Sequence, residues 1–197
     1  MITKQATNRN LAYFENLYFY LQNKGFKKLS RSLNEKDPSI TKINVGWGHA
    51  VVGKDSIALG TRGVAVCSAL TVIDPTAENL QYMLHVTPHN NPEDINQSLL
   101  KARSLGINLK DSVIEVMPGE RVNELTTPAI LEALYKIDPS LIEKVVLIRD
   151  YEARYCQALV TYKGHTYKYS YPPEDQHDCN DAKCLHTLDQ DGYEKVL

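Results

Sequence analysis

The 197-residue chain is short of several things, and each shortage narrows what the protein can be. No apolar stretch approaches the roughly 20 residues that a helical membrane span needs, so no membrane association is expected. The opening MITKQATNRN is polar and lacks the apolar core of a secretory signal. Cysteine is sparse: Cys67, Cys156, Cys179 and Cys184 sit at irregular spacing, which is not the pattern of a disulfide scaffold. These features lead to the expectation of a cytoplasmic setting, or of export to a host cytoplasm by a signal not readable in the chain. A strong charge imbalance is also missing. The net charge of −2 gives no reason to expect nucleic acid as a partner. The two ends do differ: residues 1–40 hold seven Lys/Arg against three Asp/Glu, and residues 171–197 hold two against seven. Internal repeats and low-complexity segments are absent.

What is present suits one globular domain over residues 1–197, with 43% hydrophobic residues to build a core. Asn10–Lys24 has the spacing of an amphipathic helix, with Leu11, Phe14, Leu17, Tyr18 and Leu21 on one face, Asn10 as cap and Gly25 as stop. Lys27–Ser39 reads as a loop or short helix. Ile43–Lys54 reads as the start of the sheet, with Gly46 and Gly48 around Trp47 marking a close backbone approach or a bulge. Gly53-Lys54-Asp55 reads as a hairpin turn. After His85, Asn91 and Pro92 open a helix that buries Ile95, Leu99 and Ala102 and stops at Gly106. Ser112–Met117 is a predicted strand, Thr127-Pro128 begins a third helix, and Lys144–Ile148 is a strand. Arg154–Tyr162 and His165–Tyr171 form a hairpin about Lys163-Gly164. Because strands and helices mix without strict alternation, the expected fold is α/β, a layered sandwich with a mixed, largely antiparallel sheet.

Chemistry concentrates in Ile57–Pro88. Two apolar runs, Gly63–Ile73 and Leu80–Val86, flank a segment rich in turn formers, which predicts two strands and a turn. Cys67 lies near the start of the first run and His85 near the end of the second. Antiparallel pairing would bring thiol and imidazole to one end of the sheet, the minimum for a cysteine nucleophile with its base. The alternative is that Cys67 is simply a small core residue, as most strand cysteines are. His49 and His89 are the other histidines close by in sequence.

Val66-Cys67-Ser68-Ala69-Leu70-Thr71-Val72-Ile73-Asp74-Pro75 and Leu84-His85-Val86-Thr87-Pro88 resemble the chemoreceptor glutamine deamidase family, CheD. Through that family they also resemble deamidase toxins of the cytotoxic necrotizing factor and Burkholderia lethal factor type. The resemblance covers about residues 43–148. The segments 10–24 and 149–197 then stand as additions to a CheD-like core. It places the family's Thr on Thr61, its Cys on Cys67 and its His on His85, and it includes Leu105-Gly106 and the Met117-Pro118-Gly119 turn. Ala65-Val66 departs from the family's Gly-Ser. A second alignment sets Leu59-Gly60-Thr61 on a Leu-Gly-Ser, puts Arg62 in the Cys position and implies an inactive relative.

The resemblance implies a protein-glutamine deamidase whose partner is a protein carrying a target glutamine, with no cofactor. Cys67 would attack the carboxamide, His85 would move the proton as an imidazolium partner of the thiolate, and Thr61 would orient the imidazole. Two other classes remain open: a non-enzymatic binding module on the same fold, and a thiol hydrolase with a different substrate. Separately, His177, Cys179, Cys184 and His186 lie within ten residues and carry zinc-type ligands, although the spacing matches no familiar zinc motif. A Cys179–Cys184 disulfide and an acidic tail with incidental thiols are the alternatives there.

Overall fold

A computed structural model describes residues 3–33, 37, 39–76, 79–119, 125–153, 156–169 and 194–195. Strands β5 (Ser68–Ile73) and β6 (Leu80–Val86) are buried along almost their whole length, so both faces of the sheet they form must be covered. Their side chains divide by the two-residue period of a strand. Leu70, Val72, Leu84 and Val86 join a core with Phe14, Tyr18, Leu99 and Leu131 from the helices. Ala69 and Met83, on the opposite face, join a second core with Leu59, Val64 and Leu159. The result is three layers: helices, a large sheet and a small sheet.

The remaining strands are β1 (Lys27–Lys28), β2 (Lys42–Asn44), β3 (Ala50–Lys54), β4 (Ala58–Val64), β7 (Val113–Met117), β8 (Val145–Arg149), β9 (Gln157–Tyr162), β10 (His165–Lys168) and β11 (Glu194–Lys195). The large sheet runs β1-β8-β7-β5-β6-β3-β11 and the small one β10-β9-β4-β2. Among the described residues six pairings are antiparallel and three parallel, so the architecture is mixed α/β with largely antiparallel sheets.

Helix α1 (Thr3–Lys24) is longer than its apolar spacing indicates, so Asn10 lies inside it rather than capping it. Helix α2 (Pro92–Ser104) begins as its sequence dictates. The Asn91 side chain accepts from the Glu93 and Asp94 amides, and the Asp94 carboxylate accepts from the Asn91 amide, which closes a capping box. Helix α3 (Thr126–Ile137) buries Ile130, Leu131 and Leu134 as expected. None of these helices is long and apolar enough to cross a membrane.

Three sequence expectations need correction. First, Gly63–Ile73 is not one strand. Residues 65–67 bend, β4 ends at Val64 in the small sheet, and β5 begins at Ser68 in the large one. Second, Gly53-Lys54-Asp55 does not close a hairpin, because β3 and β4 belong to different sheets and the chain there crosses between layers. Third, the basic stretch after α1 carries β1, parallel to β8, and an isolated bridge from Ser32 to Lys168. The hairpin at Lys163-Gly164 is present, with both turn residues at positive φ (47° and 73°), as a two-residue turn between right-twisted strands requires. It supplies β9 and β10, half the strands of the small sheet, so these residues are integral to the layer that faces β5 and β6.

Asp74, the acid of the Asp-Pro pair, has a structural task. Its fully buried carboxylate accepts from the Thr76 amide (2.8 Å) and hydroxyl (2.7 Å), and from the Asn108 amide (2.6 Å), tying the β5 end to the α2–β7 connection. Asp74→Ala leaves those donors without their acceptor and is expected to lower the unfolding free energy by about 2–3 kcal/mol. Urea denaturation followed by circular dichroism reads this directly.

Candidate active site

The site forms where the two sheets face each other, and backbone irregularities set its geometry. In the large sheet the Gly48 amide donates to the His85 carbonyl (2.9 Å), and the His85 amide donates to the His49 carbonyl (3.0 Å). With Gly48 at φ +69°, two residues of the loop before β3 oppose one of β6. This is a glycine bulge, a device that re-aims side chains and concentrates near active sites. The Gly-Trp-Gly signal in the sequence is therefore a bulge directly opposite His85. In the small sheet the β4–β9 register slips between Thr61 and Val64, with Gly63 at φ +81°.

Thr61 and His85 come together across the gap between the sheets. Thr61 Oγ1 lies 2.7 Å from His85 Nδ1 and donates its own hydrogen to the Val45 carbonyl at 2.8 Å. A hydroxyl has one hydrogen, so toward the imidazole Thr61 accepts. The proton therefore sits on Nδ1, and Nε2 carries the lone pair. That is the tautomer a general base needs, with the third group orienting the ring. Nε2 is buried and has no hydrogen-bond partner among the described residues. His85 is fully buried, and this burial, with a smaller contribution from the His49 charge, pushes its pKa down to about 4.

Cys67 lies in the bend that leads into β5. Register pairs Ala69 of β5 with His85 of β6 on one side and with Met117 of β7 on the other. Continued past the first residue of the strand, Ser68, that register puts Cys67, in the bend at residues 65–67, two residues along from the one paired with His85. The same register sets it opposite Gly119, and the contacts agree: a Cβ on Gly119 would lie 2.7 Å from the Cys67 carbonyl oxygen and 2.6 Å from that of Ala65. Cys67 is in no disulfide and is 4% exposed. It does not hydrogen-bond to Nε2 in this conformation. Burial thus works against the thiolate–imidazolium pair that the resemblance implies. Burial disfavours the charged ring, and the proton must move as the thiol attacks.

Of the other sequence candidates, His49 adjoins this cluster, its carbonyl accepting from the His85 amide. Arg62 is turned to the outer face of the small sheet. There its guanidinium lies 4.3 Å from the Tyr169 ring centre and donates to the Tyr169 hydroxyl at 2.5 Å. The imidazole Nδ1 of His49 lies 2.8 Å from the Trp47 carbonyl, and His89 is exposed. No three His, Cys, Asp or Glu side chains group as metal ligands among the described residues. His177, Cys179, Cys184 and His186 lie outside the described residues.

Sequence reasoning passed over Trp47 and Gly119 as participants, and it passed over the Val45 carbonyl, which fixes the direction of the Thr61 hydroxyl. The two glycines beside Trp47 were the only available signal for the first. Thr61→Val tests the relay. It deprives the Nδ1 proton and the Val45 carbonyl of partners, which is expected to cost about 2–6 kcal/mol of stability, since each orphaned buried group costs about 1–3 kcal/mol. Urea midpoints measure this, and Thr61→Ser is expected to restore most of the loss.

No known protein family's profile matches the chain, and no curated protein matches it in sequence.

Proposed function

We propose that the chain is a cysteine-dependent protein-glutamine deamidase with a CheD-like arrangement of its layers. Cys67 is the nucleophile, His85 the general base and acid, and Thr61 the residue that orients the imidazole. A glutamine side chain of a partner protein enters at the Cys67 end of β5. His85 Nε2 takes the thiol proton as Sγ bonds to the carboxamide carbon. Nε2 then returns that proton to the departing nitrogen as the carbon–nitrogen bond breaks, and ammonia leaves. Water, deprotonated by the same nitrogen, cleaves the thioester, which frees glutamate and the thiol.

The observation that carries this reading is the Val45–Thr61–His85 relay, which leaves a buried Nε2 without a hydrogen-bond partner among the described residues, on the strand paired with the one that follows Cys67. Buried polar atoms without partners are uncommon, and catalysis is one of the few reasons for retaining one. The test is mass spectrometry of glutamine-bearing bacterial and host proteins incubated with the chain. Conversion of a glutamine adds about 1 Da and releases ammonia, and it is expected with the wild type and not with Cys67→Ala. Absence of conversion across the panel counts against the reading.

A binding module on the same fold is the second reading. The burial of Cys67 (4% exposed) and His85 (0%) favours it, since both can serve as packing groups. Under that reading no substrate yields ammonia, and Cys67→Ala keeps partner binding while losing only stability.

A further inference from the structure

His85 presents a contradiction that the relay alone does not resolve. A base must touch the proton it takes, yet its free nitrogen is sealed from solvent and bonded to nothing among the described residues. Some group beside the ring has to move before chemistry begins. Of the side chains seen around the imidazole, Trp47 has the least to lose by moving. Its indole centre is 6.3 Å from the imidazole centre, with the rings tilted by 45°. It is nonetheless 48% exposed, so about half its surface is already in water. Its seat is Gly63, where an added Cβ would come within 3.0 Å of Trp47 Nε1 and 3.5 Å of Cε2 and Cζ2. The indole thus rests on bare backbone and is not locked between side chains at that edge. It is carried on the short turn between Gly46 and Gly48, the latter in the left-handed region at φ +69°.

We propose that Trp47 is the gate of the site: its indole, seated on Gly63 beside His85, closes off the imidazole, and it swings outward to admit a partner's side chain. The gate rests on the reading of His85 as the catalytic base, but it is a statement about access and has its own readout. In the closed form Trp47 screens Nε2 from water. In the open form it leaves a path bounded by the Gly48 bulge on one side and Gly63 on the other. The cost of opening is small because the indole gives up only its half-buried face.

Diethyl pyrocarbonate acylates unprotonated imidazole nitrogens, and peptide mapping resolves His85 from the exposed His89 in one sample. At pH 7 the wild-type His85 is expected to react slowly, by the fraction of time the gate is open, and at a rate that low, non-denaturing urea leaves unchanged. Trp47→Ala is expected to raise the His85 rate about tenfold or more while the His89 rate stays constant. Trp47→Phe, which keeps a ring on Gly63, is expected to fall between. If Trp47→Ala no longer unfolds cooperatively, Trp47→Leu carries the same comparison.

An unchanged His85 rate in the folded variant overturns the gate. So does a wild-type His85 that reacts as fast as His89, or one whose modification rises with urea in step with global unfolding. None of these rates depends on deamidation. Failure of the deamidase reading would therefore appear as absent ammonia with the gate intact, and failure of the gate as unaltered acylation.

Discussion

Between pH 6.5 and pH 4 the wild-type chain is expected to lose about 3 kcal/mol of stability that a His85→Gln variant does not lose. The sign follows from where the protons bind. The folded imidazole has its pKa pushed from 6.5 down to about 4, first by burial and then by the His49 charge, while the unfolded one titrates normally. Between those values the unfolded state holds the proton and the folded state does not, so acid favours unfolding. The contribution is full above pH 6.5, is lost as pH falls through the window, and has nothing further to lose below about 4. Urea denaturation of both proteins from pH 7 to pH 4 measures it, and the variant corrects for the carboxylates that titrate over the same range. Parallel curves would mean that His85 reaches water in the folded state. A catalytic consequence shares the same cause: the acid limb of kcat/KM is expected near pH 4 rather than near 6.5.

Gly119→Ala is expected to separate fold from function. The new Cβ would stand 2.6 Å from the Ala65 carbonyl oxygen, 2.7 Å from that of Cys67 and 3.2 Å from the Ala65 carbonyl carbon. These are backbone atoms that cannot rotate aside, so the bend at residues 65–67 has to shift and take the thiol with it. Overpacking of this kind costs about 1–3 kcal/mol. The larger effect is on chemistry, because a displacement of about 1 Å at a reacting group can remove about a hundredfold of rate. Gly25→Ala is the control. It lies at φ +95° with nothing within 4 Å of its would-be Cβ, so it carries backbone strain with no consequence for Cys67. Turnover and urea midpoints of the two variants, measured side by side, are expected to show both destabilised and only Gly119→Ala impaired. Full activity in Gly119→Ala would remove residues 65–67 from the catalytic geometry.

The parts of this molecule that could be read from sequence are those whose signals are local. Asn91-Pro92 with Asp94 three residues on states a helix start completely, since every partner of the capping box lies within one turn. The β5–β6 pair was legible because two apolar runs flank an obvious turn. Lys163-Gly164 was legible because few residues tolerate positive φ. The break at residues 65–67 was not. Val64-Ala65-Val66 is as apolar as the strands on either side, and nothing local says that the chain leaves one sheet for the other there. Gly53-Lys54-Asp55 misled for the same reason: a turn sequence reports a change of direction, not whether the flanking strands pair.

At the site, the resemblance led to the expectation that Thr61 orients His85, and those two side chains meet. The charge state was not legible. The pKa of His85 is set by how deeply two sheets bury it, which depends on β9 and β10 more than 70 residues away. The contacts of Trp47 and Gly119 could not be read, because they join distant segments, Trp47 with Gly63 and Gly119 with the Ala65 and Cys67 carbonyls.

The central claim is that Cys67 works through His85, and the rate of Cys67 alkylation by iodoacetamide against pH tests it most directly. The measurement uses the folded chain with Cys156, Cys179 and Cys184 replaced by Ser, with and without His85→Ala. Expected is labelling without denaturant that falls at least about tenfold at pH 7 when the imidazole is removed, because the base no longer helps to form the thiolate. Equal rates in the two proteins, or no labelling until the chain unfolds, would contradict the claim and leave Cys67 as a core residue.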